Sequence, residues 1–149
     1  MRGMLIDVAS AHLRAASLLY SSKDANLLQL SAFHLHQALE KALCQLYDSE
    51  GEPYPVGYNI ATLIEYMPIS SINLTPEMLT KLDVNKELYM VWEEYTANPN
   101  SYMTSRRKVK SQIDLIGEVI RRVSECVALM HSETQAGAEV RTVKEAGIL

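Results

Sequence analysis

Apolar residues recur along most of the chain at steps of three and four, with few glycines and few alternating β-branched runs, the pattern of amphipathic helices. The spacing predicts a first helix over residues 5–20, with Leu5, Val8, His12, Ala15 and Leu19 on one stripe. Ser21-Ser22-Lys23-Asp24 interrupts it with residues suited to a turn and an N-cap, so a helical hairpin follows. The second helix, residues 25–47, carries Leu28, Ala32, Leu35, Leu39, Ala42 and Leu46 in alternating steps that keep one core stripe facing a partner helix. Gly51, able to turn left-handed, and Pro53 and Pro55, unable to continue the hydrogen-bond ladder, end it. Ile60, Leu63, Ile64 and Met67 predict a short helix, stable only when packed, that Pro68 stops.

Thr75-Pro76-Glu77 is a helix start: threonine caps free amides, proline suits the first position and glutamate suits the positive end of the dipole. That helix would carry Leu79, Leu82, Lys86, Tyr89 and Trp92 to Tyr95 and end near Ala97. The last helix is the most regular, because Val109, Ile113, Ile116, Ile120, Val123, Val127 and Met130 repeat without a miss. The pattern stops after His131, so the expectation is one domain over residues 1–133 and a tail, 134–149, either frayed or forming a short helix around 139–146.

Composition acts by exclusion. A chain of 149 residues, 48% hydrophobic and 21% charged, suits one globular domain. Such a domain buries roughly 68–70% of its unfolded surface. Its 14 basic and 18 acidic residues, net charge −4 and isoelectric point near 5.6 exclude a chain whose whole surface grips nucleic acid. Cys44 and Cys126 lie far apart inside apolar segments, which reads as a reduced, cytoplasmic chain. Asp7 breaks the first apolar stretch too early for a secretory leader, and no segment approaches the roughly 20 apolar residues of a membrane span. Glycine-rich dinucleotide, P-loop and nucleophile-elbow motifs are missing, and no cofactor is expected.

Candidate chemistry concentrates on the second helix. Two polar shoulders flank its core stripe: Leu30, His34, Gln37, Lys41 and Cys44 on one side, and Gln29, Phe33, His36, Glu40 and Tyr47 on the other. Either these are solvated, with a His36–Glu40 contact along the helix, or they line a polar groove. His34 and His36 point roughly 200° apart, so they cannot chelate one ion together, and no metal site is expected. His34 and Lys41 share a shoulder and could together hold a phosphate. Arg106, Arg107, Lys108 and Lys110 form a dense cationic run at a helix start, which the dipole disfavours. It is either a solvated start near Glu93 and Glu94 or an electrostatic footprint for RNA or nucleotide phosphate. Tyr89, Trp92 and Tyr95 read as core or dimer contacts before a base-stacking platform.

The string Ser31-Ala32-Phe33-His34-Leu35-His36-Gln37-Ala38-Leu39-Glu40-Lys41-Ala42-Leu43 closely resembles the signature second helix of HEPN domains, the higher eukaryotes and prokaryotes nucleotide-binding family. The resemblance covers residues 5–130, including the preceding amphipathic helix, the proline loop, the short Ile60-Ala61-Thr62-Leu63-Ile64 helix and the long last helix. It implies an all-α, up-and-down bundle of four to five helices, of the nucleotidyltransferase substrate-binding-subunit type. It also implies homodimers, roles around RNA or nucleotides and, in many prokaryotic members, a minimal nucleotidyltransferase partner in toxin–antitoxin modules. Some members are metal-independent ribonucleases, in which an arginine steadies the phosphate and a histidine four to six residues later handles the proton. Here Arg106 and Arg107 are followed by no histidine through Asp114, and His131 lies nine residues beyond Arg122. Tyr58-Asn59 stands where many members start the third helix with a histidine, and Asn98-Pro99-Asn100-Ser101-Tyr102 supplies only the tyrosine of a common arginine–tyrosine pair.

No catalytic residue is therefore assigned. The expectation is a non-catalytic nucleotide- or RNA-associated module, a homodimer or a nucleotidyltransferase's partner, with His34, Gln37 and Lys41 as recognition residues and Arg106, Arg107, Lys108 and Lys110 as a phosphate-attracting rim. Two alternatives stay open: a ribonuclease toxin using Arg122 with His131, or His34 with Lys41, and a structural adaptor whose apolar stripes meet a partner bundle.

Overall fold

Short polar motifs set the helix boundaries. The computed structural model describes residues 4–67, 75, 77, 78, 80, 81 and 105–147, and the side chains of these except Met4 and residues 130–147. Four helices lie within these residues: α1 (Met4–Ser21), α2 (Ala25–Glu50), α3 (Ile60–Glu65) and α4 (Arg106–Gly147), with no strand among the described residues. The α1–α2 turn forms at Ser22-Lys23-Asp24. Lys23 takes a left-handed φ of 62°, and Asp24 Oδ1 accepts from Asn26 N at 2.9 Å, capping α2 as expected. Gly51, at φ 68°, closes α2 by donating to the Asp48 and Tyr47 carbonyls. Asn59 and Thr62 form a reciprocal capping box at the start of α3. Ser105 caps α4, its Oγ accepting from Lys108 N at 3.1 Å.

α1 and α2 run antiparallel, as three polar ties spaced along them show. Ser31 Oγ donates to the Ala16 carbonyl at 2.7 Å, His34 meets His12 at 2.9 Å, and the Ile6 amide donates to Gln45 Oε1 at 3.3 Å. Arg106 reaches the Tyr20 carbonyl at 3.0 Å, and Gly117 faces Leu13, so α4 runs antiparallel to α1 and alongside α2. The core is the meeting of these three helices with α3: Leu35, Leu39, Leu43, Leu46, Ile60, Leu63, Val109 and Ile116 are all at most 1% exposed. Each of these large side chains contributes roughly 1.5–3 kcal/mol by leaving water. Residues 42–47 are all buried, so the second half of α2 is enclosed on every side.

Most of the expected α2 and α4 stripes are buried, with Gln112, Leu115 and Val119 broadening the buried face of α4; Ala32, Ile113 and Val127 are partly covered, and the side chain of Met130 lies outside the described residues. α1 differs. Its inward face is Ile6, Ala9, Leu13, Ala16 and Tyr20, whereas Val8 is exposed and Ala15 and Leu19 are only partly covered. The stripe is rotated by one residue, about 100°. Fully buried Ala9 and Ala16 explain this, since small side chains let α1 press its backbone close to α2, and spacing weighted toward large residues overlooks them.

The Thr75 start signal acts as expected. Thr75 Oγ1 accepts from Met78 N at 3.1 Å, and Lys81 pairs with Glu77 at 3.1 Å one turn on. Leu79, Leu82, Lys86, Tyr89, Trp92, Tyr95 and residues 98–102 lie outside the described residues. The backbone of α4 continues through Gly147 without a break at His131, so residues 134–147 extend that helix instead of forming a separate short one. Gly137 alone costs about 1 kcal/mol against alanine, too little to interrupt a run rich in Ala, Glu, Arg and Lys. Among the described residues no helix is long and apolar enough to cross a membrane.

Candidate functional site

The shoulder of α2 that carries His34 is brought against α1 by the hairpin, and the residue it meets there is His12. The two Nδ1 atoms lie 2.9 Å apart and the ring centroids 5.2 Å apart, both side chains being half-buried. A contact between two ring nitrogens requires one to donate and the other to present a lone pair, so the pair shares one proton across the helix seam. Phe33 covers His34 with its ring centroid at 5.2 Å. Burial first, and then the Lys41 ammonium, hold His12 below the ordinary histidine range; burial first, and then His12, do the same for His34. Among the described residues no carboxylate acts on either imidazole.

Further along the same shoulder Cys44 is buried, and its thiol is pushed up to about 11, chiefly by burial and then by Glu40. Tyr54 stacks edge to face on both Tyr47 and Tyr58, with centroid separations of 5.9 and 5.1 Å. Tyr47 donates to the Leu63 carbonyl at 2.9 Å and Tyr54 to Asp48 Oδ1 at 2.7 Å. This end of the shoulder is built as packing, and its thiol is held in the inert protonated form.

Of the expected recognition residues, His34 meets His12 directly and Lys41 acts on His12. Gln37 turns away, its amide pairing with His36 Nδ1 at 3.2 Å, and His36 also lies 3.9 Å from Glu40 as the alternative of a helix-surface contact required. The basic run is at the other end of α1. Arg106 donates to the Tyr20 carbonyl and stacks 4.1 Å from the Tyr20 ring centroid, a fastening of α4 to the C-terminal end of α1. Lys110 pairs with Asp114 at 3.2 Å, and Arg107 and Lys108 are exposed. Tyr20 is eight residues beyond His12, about 12 Å along the helix, so the run does not touch the histidine pair. Glu93 and Glu94 are outside the described residues.

Arg122, one half of the ribonuclease alternative, donates to Glu118 at 2.9 Å; the side chain of its intended partner His131 is outside the described residues. Glu118 also accepts from Arg121, and these hydrogen bonds hold its carboxyl down at about 2. Among the described residues no three metal-ligating side chains gather.

His12 is the residue that reasoning from sequence missed. Its signal was present as the one titratable group among the apolar residues chosen for the α1 stripe, facing the polar flank of the next helix.

A helical hairpin with a half-buried pair of imidazoles at its seam, clasped by a long helix and closed by a short one, defines an all-α bundle of the kind the second-helix string implied. The chain matches the family model of the HEPN domain over residues 3–126, and it belongs to the HEPN domain family. No curated protein and no solved structure matches it.

Proposed function

We propose that this HEPN-domain chain is a non-catalytic nucleotide- or RNA-associated module, working in the cytoplasm as a homodimer or beside a minimal nucleotidyltransferase in a toxin–antitoxin-like pair. The observation that carries the reading is the half-buried seam in which His12 meets His34 with Lys41 acting on His12, two imidazoles on which no carboxylate acts among the described residues. An uncompensated cluster of this kind favours an anion from outside. Exposed Arg107 and Lys108 add a field that draws phosphates toward the hairpin.

Lys41→Ala combined with Arg107→Ala is expected to weaken ATP or RNA binding, and added salt is expected to shrink the difference from wild type. Affinity unchanged by the double substitution refutes the reading. The ribonuclease alternative retains one favouring observation, a proton-sharing imidazole pair beside an ammonium. It requires RNA cleavage in the presence of a chelator that His34→Ala abolishes, and an inert purified protein removes it.

A further inference from the structure

The contact between His12 and His34 limits the charge the pair can carry. With one proton between the two Nδ1 atoms, the pair is neutral or carries a single positive charge. A second positive charge places N–H groups on both sides of a 2.9 Å gap and forces the rings apart. Two imidazolium donors can be held in the seam only with an acceptor between them.

Among the described residues no carboxylate acts on either ring. The groups acting on the pair are Lys41, on His12, and His12 itself, on His34. The carboxylate next to Lys41 in sequence, Glu40, lies 3.9 Å from His36 and acts on the Cys44 thiol, and it is not among the groups acting on either imidazole of the pair. On α4, Gly117 faces Leu13, the neighbour of His12, and the charged residues that follow it, Glu118, Arg121 and Arg122, are tied to one another. The seam is therefore a set of donors awaiting one acceptor of high charge density.

The charge also selects the ligand class. A phosphodiester carries one negative charge, which the Lys41 ammonium balances without any change in the imidazoles. A terminal phosphate group carries about −1.5 to −2 at neutral pH and three acceptor oxygens. Its second charge is matched only when the histidine pair takes up a proton. An oxygen accepting from both rings makes two charge-assisted hydrogen bonds of about 2.8 Å, in place of one weaker contact between neutral rings.

We propose that His12, His34 and Lys41 form a binding site for a terminal phosphate group, a phosphomonoester end and not an internal phosphodiester, and that the site takes up a proton as the group enters. This rests on the nucleotide reading above and narrows it to ligands with a free phosphate end.

The test uses the full chain and inorganic phosphate, with dimethyl phosphate as the singly charged control. The imidazole C–H resonances are followed by NMR from pH 5 to 8.5, the four histidines being assigned with single His→Gln variants. Saturating phosphate is expected to raise the midpoints of His12 and His34 while leaving His36 and His131 in place, and dimethyl phosphate is expected to move none of them. Above the midpoint of the pair, phosphate affinity weakens by up to about tenfold per pH unit for each proton taken up. Lys41→Gln, a half-buried change that leaves the core intact, is expected to reduce the response severalfold. Midpoints that phosphate leaves unmoved, an equal shift of all four histidines, or an equal effect of dimethyl phosphate each overturn the proposal. An unmoved pair in a chain that still binds ATP or RNA refutes this site and leaves the broader reading standing. A pair that responds to phosphate in a chain that binds neither ATP nor RNA refutes the broader reading and supports the site.

Discussion

Removing the hydroxyl of Tyr47 is expected to destabilise the domain far more than its single hydrogen bond would contribute between exposed groups. Tyr47 is 2% exposed and donates to the Leu63 carbonyl at 2.9 Å, which lies in the last turn of α3, a helix of six residues. The last carbonyls of a helix have no amide of their own helix to accept from, and among the described residues Tyr66 and Met67 turn back to Thr62 and Ile64, passing Leu63 over. Tyr47→Phe keeps the ring and its packing but leaves a buried carbonyl without its donor, a loss of about 1–3 kcal/mol. For a chain of this size that lowers Tm by about 3–10 °C. Ser31→Ala is the matched control. Ser31 is equally buried and its Oγ donates to Ala16 at 2.7 Å, yet Ala16 sits inside α1, where its carbonyl keeps the amide of Tyr20. Only the net value of one hydrogen bond is lost there, about 0.5–1.5 kcal/mol. Urea unfolding of both variants, read with unchanged m-values, gives the comparison. A Tyr47→Phe cost below about 0.5 kcal/mol, or a Ser31→Ala cost equal to it, refutes the reasoning that the orphaned carbonyl sets the magnitude.

Two further outcomes follow from the seam. Because His12 and His34 are held below the ordinary histidine value of 6.5 in the folded chain, the unfolded chain binds more protons as pH falls past that value. Stability is therefore full above about 6.5 and declines below it toward the folded values; a His34→Gln variant flattens that part of a Tm-against-pH curve, and equal slopes for variant and wild type count against the pair. Cys44, with its thiol at about 11 and 3% exposed, is expected to resist iodoacetamide at pH 8 until the chain unfolds, so modification of native protein at Cys44, read by peptide mass, contradicts the packing described.

Most of the architecture was legible because its signals are local. The Asp24 cap, the left-handed Gly51 and the Thr75 start each depend on residues within one turn of chain, and a stripe such as that on α2 is a property of one helix. What failed to show was relational. Which side of α1 faces inward depends on how closely two helices approach, and that is decided by Ala9 and Ala16, whose small size a hydrophobic pattern discounts. The same closeness makes the site. Once α1 is rotated by one residue, His12 stops being a member of a core stripe and sits at its edge, against the polar shoulder of α2. His34 and Lys41 could be placed on one face by spacing, since both belong to α2, but their partner came from a helix whose orientation had been read one residue away. Gln37, on that same face by spacing, was lost to a contact with its own neighbour His36, a choice of rotamer that no periodicity encodes. The same ties explain why two imidazoles beside an ammonium are tolerated in a folded hairpin. Ser31 and Gln45 tie α1 to α2 on either side of His12 and His34, so the two imidazoles are held together by the surrounding helices and not by their own attraction. A pair confined in this way gives up little stability when an anion separates its rings, and that is the property a binding site needs and a structural contact does not.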